Sequence, residues 1–108
     1  MHECEEVARV LGKKKLNTTK LAILIYLGTV GESKLVDVAK VLGTSKSVVW
    51  KHAKEMKEEG LLEVRYTLGP HPQMVLRISE KGLNELLKYA EFLEAVVRCA
   101  REAVEEMK

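Results

Sequence analysis

No stretch of this 108-residue chain approaches the roughly eighteen consecutive apolar residues that a membrane span requires. The opening MHECEEVARV is acidic where the start of a secretory signal would be basic, so no export signal is expected and the cytoplasm is the expected location. Cysteine occurs only twice, as Cys4 and Cys99 near opposite ends, which excludes a close-spaced metal pattern such as Cys-x-x-Cys. Asn and Gln are scarce (Asn17, Asn84, Gln73) while Lys and Glu abound. That balance leans towards a thermophile, in which an intracellular disulfide is allowed. No nucleophile is paired with a base, no glycine-rich loop could cradle phosphate, and no carboxylate pair converges between loops. The three histidines fall in unrelated elements. An enzyme is therefore not expected, and no cofactor or metal is implied. Internal repeats and low-complexity segments are also missing.

What is present is an ordinary globular balance, 46% apolar and 31% charged, of a length suited to one domain. The net charge of +2 is unevenly spread. Residues 13–78 carry twelve basic against six acidic side chains, whereas residues 1–12 carry one against three and residues 79–108 five against seven. A basic middle between mildly acidic ends points to a polyanionic partner for the middle alone.

Periodicity divides the chain further. Residues 3–11 read as a short helix with acidic residues in its first turn, ended by Gly12 and followed by Lys13, Lys14 and Lys15. A second helix is expected over residues 18–27, capped by Thr18 or Thr19, with Leu21, Leu24, Ile25 and Gly28 as its inward stripe. Residues 29–33 read as a loop. A short helix follows over residues 36–42, with Val38, Ala39 and Leu42 inward and Gly43 stopping it. Ser45 can cap a further helix reaching Glu59, with Gly60 as terminator. The period then changes from helical to two: Leu62, Val64 and Tyr66 alternate with Glu63, Arg65 and Thr67, and Met74, Leu76 and Ile78 alternate around Val75 and Arg77. Between them the run from Leu68 to Gln73, with Gly69, Pro70 and Pro72, can continue neither element, so a β-hairpin with a proline-rich tip is expected. A last helix runs from Ser79 or Glu80 to about Met107.

The most specific stretch is Leu42-Gly43-Thr44-Ser45-Lys46-Ser47-Val48-Val49, followed by Gly60-Leu61-Leu62 and the hairpin. It resembles the winged helix-turn-helix of the MarR and ArsR regulator families, over about residues 18–83, and Ile78-Ser79-Glu80-Lys81-Gly82 resembles the junction after the wing in MarR-like proteins. The resemblance implies a mainly α fold with a small β-hairpin and a DNA-reading role for the helix over residues 45–59. A helical wheel supports this independently. Val49, Ala53, Met56 and Gly60 share one face, while Ser47, Lys51 and Lys54 cluster opposite. Small polar and basic groups on an exposed face suit the major groove: Ser47 can bond base edges or phosphate, and Lys51 and Lys54 can reach guanine or backbone. Thr44, Ser45 and Lys46, at the turn, complete the expected contacts, since backbone N–H groups and hydroxyls there can meet phosphate. Two roles are open to Trp50, packing on neighbouring core and contact with a base or sugar. His52 lies near the apolar face, as a packing residue. His71 stands at the wing tip, where related proteins place a basic side chain in the minor groove, and a solvated loop histidine between prolines is the equal alternative. The tip has no Arg or Lys, a departure from the family pattern, so Arg65 and Arg77 near its base are the wing's candidates for phosphate contact.

The last helix carries a second signal. Leu83, Leu86, Ala90, Leu93, Val97, Ala100, Val104 and Met107 are spaced alternately by three and four, an unbroken heptad seam. A helix of this length spans roughly 40 Å, more than its own domain can cover, so a homodimer is expected, its helices antiparallel or crossing. The organisation read from the sequence is an N-terminal helix (residues 1–12), a winged helix-turn-helix (13–79) and a dimerisation helix (80–108). The expected function is a sequence-specific, double-stranded DNA-binding transcriptional regulator; the alternative is a winged-helix adaptor that binds protein and not DNA. Residues 36–39 lack the paired cysteines of ArsR-like metal sensors, and no small-molecule effector can be named. His2, Cys4 and Cys99 could form an interchain metal or redox site if the termini met at the dimer, but two unrelated buried thiols are the expected state.

Overall fold

The computed structural model describes residues 4–6, 8–9 and 17–108. Residues 4–6, 8 and 9 are helical; the rest of the helix expected over residues 3–11, together with Gly12 and the three lysines after it, lies outside the described residues, as does His2. The elements that follow are α1 (Thr18–Val30), β1 (Glu32–Lys34), α2 (Leu35–Leu42), α3 (Lys46–Glu58), β2 (Leu62–Tyr66), β3 (Met74–Ile78) and α4 (Glu80–Glu106). The chain divides into two compact units, one from Asn17 to Leu86 and one formed by residues 1–16 with residues 87–108.

In the first unit, α1, α2 and α3 pack with one face of a three-stranded antiparallel sheet of order β1-β3-β2. The core is Ile23, Leu24 and Leu27 of α1, Leu35, Val38 and Ala39 of α2, Val49, Ala53 and Met56 of α3, Leu62 of β2 and Leu76 of β3. Strand register explains the hairpin's alternation: Leu62 pairs with Ile78, Val64 with Leu76 and Tyr66 with Met74, so these six share one side, while Val75 is buried on the other.

Two elements differ from the sequence expectation. The N-cap of α1 is Asn17, whose side chain accepts from the N–H groups of Thr19 and Lys20, and neither Thr18 nor Thr19 serves. The buried stripe is Ile23, Leu24 and Leu27, with Ile25 and Gly28 exposed. Residues 21–27 are apolar on nearly every side, so spacing alone does not select the inward face. The segment read as a loop continues α1 to Val30 and then forms β1, which pairs Glu32 with Arg77, Ser33 with Leu76 and Lys34 with Val75. Three residues with no apolar alternation carry no strand signal of their own; β1 exists because β3 offers it an edge.

The junction after the wing is closed by Ser79. Its hydroxyl donates to Gly60 O (2.6 Å) and accepts from Gly82 N–H (2.9 Å), while its own N–H donates to Leu61 O (3.1 Å). A Cβ at Gly82 would collide with the Leu61 carbonyl oxygen and lie 3.0 Å from Ile78 Cγ1. The Ser-x-x-Gly spacing of this junction is therefore a cap plus a close backbone approach.

In the second unit Cys4 and Cys99 are joined by a disulfide, with Cα atoms 5.7 Å apart. This corrects the expectation of two unrelated thiols: the chain's two ends meet within one molecule, and no free cysteine is left. On α4, Ala95 is buried and Phe92 and Cys99 are half-buried, all towards one side. The heptad seam is on another: Leu93 (45%), Val97 (49%), Val104 (54%) and Met107 (86%) are exposed, as are Leu83, Ala90 and Ala100, and only Leu86 packs against the core. No helix among the described residues is long and apolar enough to cross a membrane.

Candidate nucleic-acid interface

The turn between α2 and α3 sets the site. Gly43 takes a left-handed conformation (φ 65°, ψ 34°), which a side chain would disfavour. Its N–H donates to Lys40 O (3.2 Å) and that of Thr44 to Ala39 O (3.0 Å), closing α2 with a Schellman motif. Ser45 then starts α3. Its Oγ accepts from Val48 N–H (3.2 Å), which leaves the hydroxyl hydrogen free to donate outward. The same closure recurs at the far end of α3, where Leu61 N–H donates to Met56 O and Gly60 N–H to Lys57 O.

With Val49, Ala53 and Met56 fully inward, α3 turns Lys46, Ser47, Lys51 and Lys54 to solvent. Thr44, in the turn, is half-buried. Trp50 does not pack into the core: it is 47% exposed, and Lys54 Nζ stands 5.3 Å from its ring centroid. His52 is a packing residue, its side chain only 13% exposed, with Nδ1 4.0 Å from Glu55 Oε2 and no hydrogen-bond partner among the described residues.

Lys20 of α1 shapes this surface, and sequence reasoning missed it. Its Nζ lies 2.8 Å from Glu55 Oε2 and 3.1 Å from Glu59 Oε1, tying α1 to the C-terminal end of α3. The hydrogen bond to Glu55 raises the Lys20 pKa above its ordinary value against some desolvation, and Lys20 in turn lowers that of Glu55. Two carboxylates at the end of α3 are thereby offset by a cation from outside the helix, so its exposed lysines face a partner with less opposing charge. The pairing joins residues far apart in the chain, and no local spacing signals it.

On the wing, the structure separates the two arginines that the sequence put together. Arg65 is engaged by Glu32 of β1, with Nε and Nη2 at 2.9 and 2.8 Å from the same Oε1. Because β3 lies between β2 and β1, this pair crosses the central strand on the face where Val75 is buried. Part of Arg65's charge is thus offset within the sheet. Arg77 is exposed, in register between Glu32 and Glu63, and makes no ion pair with a described residue. At the tip Gln73 N–H donates to Thr67 Oγ1 and Thr67 N–H to Gln73 O, and His71 and the neighbouring Leu68 stand in solvent. Among the described residues no group of three His, Cys, Asp or Glu side chains is placed to hold a metal ion.

Comparison with known proteins agrees with this geometry. Residues 16–63 match the family model for winged helix-turn-helix DNA-binding domains. No curated protein shows significant sequence similarity to the chain. Among solved structures, a transcriptional regulator homologue from Pyrococcus horikoshii OT3 superposes with a TM-score of 0.76 at 24% identity, covering 93% of this chain and 98% of its own. ZitR of Lactococcus lactis gives 0.68 at 23% identity over 85% of this chain and 62% of its own. BpsR of Bordetella bronchiseptica, whose DNA binding is regulated by 6-hydroxynicotinic acid, gives 0.67 at 18% over 98% and 81%. This chain thus spans less than two thirds of the ZitR structure and nearly all of the Pyrococcus one. The fold is the one that the resemblance to MarR and ArsR regulators implied, and residues 16–63 are similar to winged helix-turn-helix DNA-binding domains.

Proposed function

We propose that this chain is a sequence-specific, double-stranded DNA-binding transcriptional regulator that acts as a homodimer. In this reading α3 enters the major groove and the β2–β3 hairpin is the wing. The observation that carries it is the two-sided character of α3: Val49, Ala53 and Met56 are buried to within 1%, and the opposite side offers Ser47, Lys51 and Lys54. Ser45 and Lys46 sit at the helix start, where a hydroxyl and an ammonium can meet phosphate, with Thr44 beside them. Trp50 joins the contact surface. Arg77 and His71 serve as wing contacts, and Arg65 does so only by giving up part of its pairing with Glu32. The homodimer reading is supported by the exposed α4 seam. Leu83, Ala90, Leu93, Val97, Ala100, Val104 and Met107 keep a helical stripe in water that a second copy can cover, with Leu86 at its inner end.

Two α3 helices on one dimer suit successive major grooves, so duplexes of roughly 15–25 bp with two-fold symmetry are the preferred ligands. The test is a mobility-shift selection from a random duplex pool, repeated with Ser47→Ala and Lys51→Ala. Weakened preference at particular base pairs, by about 1–3 kcal/mol for each side chain removed from a base edge, supports the reading. Selection of no common sequence contradicts it.

A further inference from the structure

We propose that Trp50 reads the C5-methyl edge of a thymine in the major groove, its indole held in position by Lys54; this rests on the DNA-binding reading above. Three observations meet at this residue. First, the indole is half in water although α3 has a filled core face one position away, where Val49 is fully buried. A large apolar ring on a helix otherwise rich in charge, outside the buried core of this unit, leaves nearly half of its surface open to a ligand. Second, Lys46, Lys54 and Lys57 stand four residues before, four after and seven after Trp50, so the ring is bracketed by exposed ammonium groups on its own column of the helix. Third, the Lys54 ammonium lies over the ring at 5.3 Å, a cation–π contact that restricts the rotamers of both side chains before any ligand arrives.

A strip of lysines interleaved with one ordered aromatic ring has a specific complement in duplex DNA. The lysines match the phosphates along the groove walls. The ring needs an apolar partner on the groove floor, and the projecting apolar group among the base edges is the thymine C5-methyl. Prior ordering by Lys54 lowers the entropy cost of docking, so the contact contributes selectivity rather than simple adhesion. Trp50 is accordingly a specificity-determining residue, and Lys54 positions it in addition to meeting phosphate.

The experiment exploits the fact that Trp50 is the only tryptophan of the chain. A high-affinity duplex selected from a random pool is resynthesised with deoxyuridine for every thymidine, which removes methyl groups and nothing else. The wild-type protein should bind the uracil duplex about fourfold more weakly for each thymine methyl that the indole covers, and its tryptophan emission should change when the thymine duplex is added. Trp50→Ala, checked for its fold by circular dichroism, should bind the two duplexes equally when followed by the anisotropy of labelled DNA. Equal binding of both duplexes by the wild type overturns the inference and leaves the DNA-binding reading standing, as does undiminished discrimination by Trp50→Ala. Unchanged tryptophan emission on saturation also overturns it. A folded protein with no affinity for any duplex overturns the DNA-binding reading itself, and this inference with it.

Discussion

Gly82→Ala should destabilise the winged-helix unit, against the usual gain from replacing a helical glycine. In an unobstructed helix that change is favourable by about 1 kcal/mol. Here the new Cβ would meet the Leu61 carbonyl oxygen and lie 3.2 Å from its carbon, with Ile78 Cγ1 at 3.0 Å. The obstacle is backbone, and that backbone is itself held, because Leu61 O accepts from Ser79 N–H at 3.1 Å. Moving α4 away would stretch this bond and the 2.6 Å bond from Ser79 Oγ to Gly60 O. Overpacking costs about 1–3 kcal/mol, and two weakened hydrogen bonds cost about 1 kcal/mol each. Set against the helical gain, the net loss is about 2–4 kcal/mol. For a chain of this size that lowers Tm by roughly 10 °C, measured by circular dichroism at fixed protein concentration because dimerisation would otherwise shift the midpoint. A Tm equal to or above that of the wild type would refute the close approach and with it the physical reading of the Ser79–Gly82 junction.

Three further outcomes follow from the same structure. Glu55→Gln should lower Tm at neutral pH and have no effect in acid. A carboxylate whose folded pKa is depressed contributes stability above its ordinary value of 4.5 that is lost as pH falls through the folded value, so the two melting curves should converge towards pH 3. Lys20, raised above 10.5, loses its share only in alkali. Reducing the Cys4–Cys99 disulfide, which closes a loop of sequence separation 95, should slow migration on denaturing gels. It should cost up to about 4–5 kcal/mol by chain-entropy arguments, yet leave DNA affinity unchanged, because α3 lies in the other unit; a parallel change in affinity would make the bond a switch. The protein should sediment as a dimer at micromolar concentration, and Leu93→Glu with Val97→Glu should yield monomers, since carboxylates in a dry seam cost several kcal/mol; a monomeric wild type would exclude the seam as an interface.

Legibility in the sequence followed the strength of local signals. The α3 helix was readable from cap to terminator because Ser45, the Val49–Ala53–Met56 spacing and Gly60 agree, and the hairpin because its period is two on both strands. The inward face of α1 was not, since apolar residues surround it, nor was β1, which depends wholly on the edge of β3. On the site, the exposed face of α3 could be drawn from a helical wheel. The capture of Arg65 by Glu32 and of Glu55 and Glu59 by Lys20 could not, because each links elements whose proximity only the packed fold creates. The cysteine pairing was hidden for the same reason: two thiols at opposite ends give no spacing to read.

The salt dependence of duplex binding tests the central claim most directly. If each protomer engages about four phosphates, the dimer neutralises about eight, and log K should fall against log salt with a slope near −7. Lys54→Ala should flatten that slope by roughly one unit per protomer, while Glu102→Ala, on an exposed position of α4, leaves it unchanged. A folded protein with no measurable duplex affinity at low salt, or with an affinity indifferent to salt, would contradict the account.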